Sequence, residues 1–301
     1  MKIVTYNIQY GLGRDGRFDL ERVANTVNGA DVIGLNEVDR FWPRNNGFPA
    51  NQSIDQVKEL SDLLPGYYWV YSPYFDVDAS SKRADGAVTN RRRQQGCMLL
   101  SRTPIIYSRT HVFQKLNSVD YFNMRKGAIE GVIEFPSRPV RFYSLHLSSN
   151  TSEERLIQVQ QLLRSYRSNQ SEGGVWTGNP ISGSGIDWSN GEEQPTNPVD
   201  AIMIGDFNIL PDSPEYNEIV RPRAGESEKV EHSYAFVDSW LAVGDGGDGA
   251  TFAVASGPDA SEERLDYCFV GSQLVDRLIS ARVDRDVIGS DHQPLWVEID
   301  L

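Results

Sequence analysis

Apolar residues recur along this chain in two rhythms. In 3–8 and 31–35 they form short runs of β type; in 19–28 and 54–64 they fall three or four residues apart. Leu20, Val23, Ala24 and Val27 share one helical face behind Asp19, a good capping residue. Ile54, Val57, Leu60 and Leu64 repeat that spacing, and Pro65-Gly66 stops it. A third, aromatic-rich strand is predicted over 67–74. The opening therefore reads as strand, helix, strand, helix, strand. Helical crossovers make such strands parallel, so their C-terminal ends share one edge of a sheet. Asn7, Glu37 and Tyr74 are placed on that side.

Antiparallel strands are expected next. Residues 96–101 run away from the edge, 105–113 run back, 128–135 run away and 140–147 return, which delivers His146 to the edge holding Asn7 and Glu37. A helix over 151–166 has Leu156, Val159, Leu162 and Leu163 inward. The Gly-, Ser-, Asn- and Pro-rich stretch 168–198 has no periodicity and is predicted to be a surface-loop insertion in a single domain spanning 1–301. A strand over 201–205 then brings Asp206 to the same edge. Further strands are expected at 251–254, 265–270 and 294–299. Both halves build strand-helix-strand units, which predicts an α+β protein of two packed mixed sheets flanked by helices.

At 301 residues with 39% hydrophobic content, the chain is long enough to bury a core. Its formal charge of −13 argues against non-specific nucleic-acid binding, which rests on a basic face. A divalent cation can invert the field locally, so a nuclease is not excluded. Cys97 and Cys268 lie in apolar strands and read as inert buried thiols. No run is apolar enough to span a membrane and no signal peptide is visible, so the chain as read is expected in the cytoplasm, as a monomer.

Five clusters sit at strand ends or just beyond: Thr5-Tyr6-Asn7-Ile8, Asn36-Glu37-Val38, Leu145-His146-Leu147, Gly205-Asp206-Phe207-Asn208 and Ser290-Asp291-His292. Arg264-Leu265-Asp266-Tyr267 makes a sixth. Each alone has a bland explanation. Asp206 and Asn208 could shape a turn, His146 could be a satisfied structural histidine, and Asp266 could pair with Arg264. Together they bring carboxylates, two of the chain's four histidines and two asparagines to one edge. Such hard oxygen donors suit Mg²⁺. HExxH and Walker patterns are absent.

The six clusters, in this order, resemble the endonuclease/exonuclease/phosphatase family, whose fold is a deoxyribonuclease I-like four-layer sandwich. GDFN, RLDY and SDH carry the resemblance, and GLNEVDR at 34–40 looks closest to bacterial metal-dependent hydrolases of the family. The resemblance implies Mg²⁺ (or Mn²⁺) held by Glu37 with Asn7 and Asp291 nearby. Asp206 would deprotonate or orient the attacking water, with Asn208 helping to place it. His292 would face the scissile phosphate, held by Asp266, and His146 falls where some members carry a second acid/base histidine. Gln9 stands where apurinic-site endonucleases of the family have an aspartate, which removes support for a second metal contact and for repair activity. Ile209-Leu210 after GDFN differ from the pattern of inositol polyphosphate 5-phosphatases.

The expected activity is hydrolysis of a phosphoester, with a small molecule or lipid headgroup favoured over nucleic acid as substrate. The alternatives are a nuclease acting on DNA or RNA and an inactive binding module on the same fold. A loop over 76–95, carrying Arg91, Arg92 and Arg93, is expected to overhang the edge, where the basic run could receive an anionic substrate or simply be a solvated, mobile loop. Arg125, beside Lys126, is a further candidate phosphate contact.

Overall fold

The computed structural model describes residues 1–44, 54–178, 187–220, 235–253 and 262–301. Its elements in chain order are β1 (Lys2–Asn7), α1 (Leu20–Val27), β2 (Val32–Arg40), α2 (Gln56–Leu63), β3 (Tyr68–Asp78), β4 (Ser81–Lys82), β5 (Val88–Thr89), β6 (Arg92–Ser101), β7 (Ile105–Val112), β8 (Gly127–Glu134) and β9 (Pro139–His146). They continue with α3 (Ser152–Glu172), β10 (Ala201–Asp206), α4 (Pro214–Val220), β11 (Phe236–Asp238), α5 (Ser239–Val243), β12 (Phe252–Ala253), β13 (Glu262–Glu263), β14 (Asp266–Gly271), β15 (Leu278–Val283) and β16 (Leu295–Ile299). Two six-stranded sheets form, in the orders β15-β16-β1-β2-β6-β3 and β11-β14-β10-β9-β8-β7. β1 and β2 are parallel, as are β9 and β10, and the other neighbours within these sheets are antiparallel. The expected two packed mixed sheets with flanking helices are what the chain forms.

Alternation decides which side chain goes where. Ile3, Val32, Leu99, Phe142, Ile204 and Val270 meet between the sheets. Val4, Tyr6, Ile33 and Leu35 project the other way, under α1 and α2, where they meet Leu20, Val23, Val57 and Leu60. Tyr143, Leu145, Met203 and Phe269 do the same under α3, against Val159 and Leu162. Each such aliphatic side chain contributes about 1.5–3 kcal/mol when fully buried. A strand covered on both faces reads as a continuous apolar run, which is why β10 is buried at every position. Asp19 accepts from the Arg22 amide and caps α1 as expected.

Three expectations need correction. Helix α3 runs past Tyr166 to Glu172 and ends at Gly173, so the loop predicted from 168 starts later. Its last turns are polar and were invisible to an apolar rhythm. They are held by Asn169, which donates to the Tyr143 hydroxyl at 2.8 Å and accepts from Arg109 at 2.6 Å. Residues 179–186 of that stretch and Val254 of the strand expected at 251–254 lie outside the described residues. Next, 76–95 is no open loop: β3 and β6 stay paired out to Asp78 opposite Arg92, and β4 pairs with β5. Finally, β11 and β15 were not anticipated. β15 buries only Ala281, so it carries no alternation signal.

Beneath α3 lies a buried ion cluster that the sequence did not announce. Arg141 bonds Glu130, which also meets Arg109 Nε at 3.1 Å and His111 Nε2 at 2.6 Å. Burial alone would raise the Glu130 carboxyl, but the His111 hydrogen bond and the Arg141 and Arg109 charges outweigh it and hold it below 4.5. A carboxyl whose folded pKa is depressed adds stability above its unfolded pKa and loses it as pH falls through the folded value. Urea unfolding of Glu130→Gln against wild type is therefore expected to show a stability gap at pH 7 that closes below pH 4.5. A gap independent of pH would show that the carboxylate charge contributes nothing.

Candidate active site

At the C-terminal edge of the parallel strands the inward-facing positions turn polar. On β10 the sequence of sandwich-facing residues is Ile202, Ile204, Asp206; on β9 it is Phe142, Ser144, His146; on β1 it ends at Asn7. Register puts His146, Asp206 and Asp266 side by side on β9, β10 and β14, and Asn7 beside Asn36 on β1 and β2. The two rows face each other across the sandwich. Asn7 Nδ2 donates to Asp206 Oδ2 at 3.0 Å, and the Asp206 amide donates to Asn36 Oδ1 at 3.2 Å. The glycine of GDFN is required here: Gly205 has φ +147, and a Cβ on it would lie 1.9 Å from the Leu145 carbonyl oxygen.

Glu37 arrives by a different device. Pairing of β2 with β6 shifts between Leu35 and Val38, so Asn36-Glu37 form a bulge. Glu37 has φ +60, in the left-handed region. A bulge re-aims a side chain at the end of a ladder, and such backbone costs on the order of 1–3 kcal/mol in a non-glycine residue. Gln9, Tyr10 and Asn208 also have positive φ. Strained positions thus gather around the motif residues. Asn208 is tied down by its own amide to Asp206 Oδ1 at 2.9 Å and by Nδ2 to the Leu147 carbonyl at 3.1 Å.

His292 comes from the loop between β15 and β16. Its Nδ1 lies 2.7 Å from Asp266 Oδ2, and its Nε2 points toward Asp206 Oδ2 at 3.8 Å. Ser290 fixes this loop by donating to the Asn7 carbonyl at 2.7 Å and accepting from the His292 amide. Asp291 accepts from Gln9 Nε2 at 2.8 Å. Gln9 thus holds Asp291 through its side-chain amide.

Charge is distributed unevenly. Burial would lower the His292 pKa, but Asp266 and Asp206 overcome it and keep the ring protonated above its ordinary range. Burial raises the Asp206 carboxyl, only partly opposed by His292. His146 is pushed well below 6.5 by burial and by the charges of Lys126 and His292, so its ring is neutral. Its Nε2 lies 3.3 Å from Asp206 Oδ2. One edge thus holds a carboxyl flanked by a protonated and a neutral histidine, arranged for proton transfer to and from one reacting group.

Lys126 lies in this site, with its side chain buried and Nζ 2.9 Å from His146 Nε2. Burial lowers its pKa, opposed by Glu37 and Asp206. Its neighbour Arg125 is exposed and lines a groove against α3 with Arg164, Gln160 and Ile157, none of them site residues. Arg92 pairs with Asp76 at 2.8 Å, whereas Arg91 and Arg93 lie over the rings of Phe41 and Trp42. Asp266 pairs with His292, and Arg264 pairs with Asp238, so the alternative Asp266–Arg264 ion pair does not form. Cys97 and Cys268 are free and buried, with thiols pushed up to about 12 by burial.

Among the described residues no three His, Cys, Asp or Glu side chains form a ready-made metal cage. The donor set nevertheless fits a hard cation that keeps most of its waters. Glu37 has no ion-pair partner among the described residues, and together with burial it raises the Asp291 carboxyl. Two carboxylates and the Asn7 amide so placed are the kind of oxygen set Mg²⁺ takes.

A two-sheet α/β sandwich with an acid–histidine centre at one edge defines the class. Within it, the chain belongs to the endonuclease/exonuclease/phosphatase family, whose model matches residues 4–292. Members of this family are typically phosphoester hydrolases that use divalent metals. Solved structures share the fold. A family protein from Beutenbergia cavernae is 21% identical with a TM-score of 0.66, over 100% of this chain and 71% of that one. One from Leptotrichia buccalis is 19% identical at 0.63, over 100% of both. A mannosyl-6-phosphatase from Bacteroides thetaiotaomicron is 17% identical at 0.61, over 100% of both. No curated protein matches the chain. Among the described residues no helix is long and apolar enough to cross a membrane.

Proposed function

We propose that this chain hydrolyses a phosphoester of a small molecule or lipid headgroup, with Mg²⁺ or Mn²⁺ held by Glu37, Asp291 and Asn7. The observation that carries the reading is Asp206, a buried carboxyl lying 3.3 Å from His146 Nε2 and 3.8 Å from His292 Nε2. When bound, the metal supplies positive charge against the phosphate oxygens. The residues do the rest. Asp206, oriented by Asn7 and flanked by Asn208, accepts the proton of the attacking water. His292, kept cationic by Asp266, faces the developing charge on phosphorus oxygens. Lys126 adds a second cation to a chain whose net charge is −13. Arg91 and Arg93 are better placed than Arg92 to meet an anion, since Asp76 already matches the Arg92 charge. Arg125 contributes at most to the rim. The mannosyl-6-phosphatase among the neighbours keeps monoesters beside diesters as candidate substrates.

Glu37→Gln tests the metal assignment. The substitution keeps the shape and removes the charge, so the Mg²⁺ concentration for half-maximal activity is expected to rise by about 10-fold or more, the equivalent of roughly 1.4 kcal/mol. An unaltered Mg²⁺ titration would take Glu37 out of the metal set.

A further inference from the structure

His146 is neutral, so the proton on its ring sits on one nitrogen, and which one decides what the ring can do. A chain of hydrogen bonds reaches it from the far side of β6. Arg44 Nε donates to Asp39 Oδ2 at 2.8 Å, and Gln95 Nε2 donates to Asp39 Oδ1 at 3.0 Å. The Tyr74 hydroxyl donates to Gln95 Oε1 at 3.4 Å, and its oxygen lies 3.3 Å from His146 Nδ1. Asp39, Gln95, Tyr74 and His146 are all buried, so water does not replace these partners. Arg44 is gripped between rings, 4.0 Å from the Tyr10 centroid and 4.5 Å from that of Trp42.

We propose that Asp39, Gln95 and Tyr74 are positioning residues that fix His146 as the Nδ1–H tautomer and present a bare Nε2 to the reaction centre. This rests on the reading of His146 as a participant in hydrolysis. The logic runs one way along the chain. Asp39, held by the Arg44 guanidinium, takes the Gln95 amide nitrogen as donor, which turns the Gln95 oxygen toward Tyr74. Tyr74 has one proton, which goes to that oxygen. Its own oxygen is then free only to accept, and the donor it faces is His146 Nδ1–H. Lys126 argues the same from the other side of the ring. Its ammonium, a donor with no acceptor capacity, is 2.9 Å from Nε2 and 3.3 Å from Nδ1, nearer the nitrogen left bare. Asp206 Oδ2, 3.3 Å from Nε2, pulls toward the opposite tautomer. It is the longer of the two Nε2 contacts, and Asp206 already takes the Asn7 amide. With Nε2 bare, His146 can accept a proton at the centre but cannot supply one until it has done so.

The test is imidazole ¹⁵N spectroscopy of the full-length protein, with the His146 signals assigned by loss in His146→Gln. Wild type is expected to show a protonated Nδ1 and an unprotonated Nε2. Tyr74→Phe, which keeps the ring, is expected to move the population toward Nε2–H and to lower kcat by roughly 10–100-fold with KM little changed, the size of effect known for partners that orient metal-bound histidines. Gln95→Leu should do the same. A wild-type ring protonated on Nε2, or a tautomer unmoved in both variants, overturns the proposal. A tautomer that shifts while kcat stays at the wild-type value overturns instead the use of His146 in hydrolysis. Tyr74→Phe removes one hydroxyl from a packed site, so it is the variant that keeps the test decisive if Gln95→Leu fails to fold.

Discussion

Asp206→Asn is expected to lower kcat by about 10²–10⁴-fold, the usual contribution of a general base, with KM changed far less. The amide keeps the volume of the carboxyl and its place between His146 and His292, but it cannot take a proton from water. Stability should move the other way as pH rises. Burial holds the Asp206 pKa above 3.8 in the folded state. A carboxyl raised on folding costs stability as pH climbs from its unfolded pKa through its folded one. In metal-free protein, wild type should therefore lose stability over that window relative to Asp206→Asn. Steady-state kinetics and urea unfolding at several pH values check both. A variant that folds normally and keeps near-wild-type kcat would remove Asp206 from the mechanism.

His292→Ala should cost both activity and stability. On activity the expectation is again about 10²–10⁴-fold in kcat, from lost charge stabilisation. On stability, the change leaves Asp266 fully buried without its partner at 2.7 Å. Its Oδ1 already lacks a hydrogen bond among the described residues. Breaking a buried pair from one side costs roughly 3–5 kcal/mol. The double variant Asp266→Ala/His292→Ala is expected to be more stable than His292→Ala alone, yet no more active. In wild type the pair's contribution is full below the ordinary histidine pKa of 6.5 and fades as pH rises through the raised folded value. If the single and double variants unfold at the same urea concentration, the pair is not coupled in the way the geometry indicates.

Much of this was readable in the amino-acid sequence, for a physical reason. The strands that deliver Asn7, His146, Asp206 and Asp266 are buried on both faces, so each announces itself as an apolar run and its polar end stands out. Counting strand directions then suffices to bring Asn7, His146 and Asp206 to one edge. What stayed hidden obeys other rules. The Glu37 bulge is a one-residue slip in pairing, which no periodicity reveals. The β3–β6 extension is held by Arg92 and Asp76 across two exposed strands. The end of α3 is held by Asn169, and Asp39, Gln95 and Arg44 join the site only through side-chain hydrogen bonds, which no apolar rhythm announces. Lys126 was visible as a charge at a loop end, but not as a buried ammonium against His146.

Divalent-metal hydrolysis at this edge is tested most directly by one measurement. Purified protein is incubated with chromogenic phosphomonoester and phosphodiester substrates, first with Mg²⁺, then with excess chelator, then with Mg²⁺ or Mn²⁺ restored. The account predicts turnover of at least one substrate, its loss in chelator, its return with metal, and no comparable turnover by Asp206→Asn. Turnover that persists in excess chelator, or that Asp206→Asn retains, would contradict it.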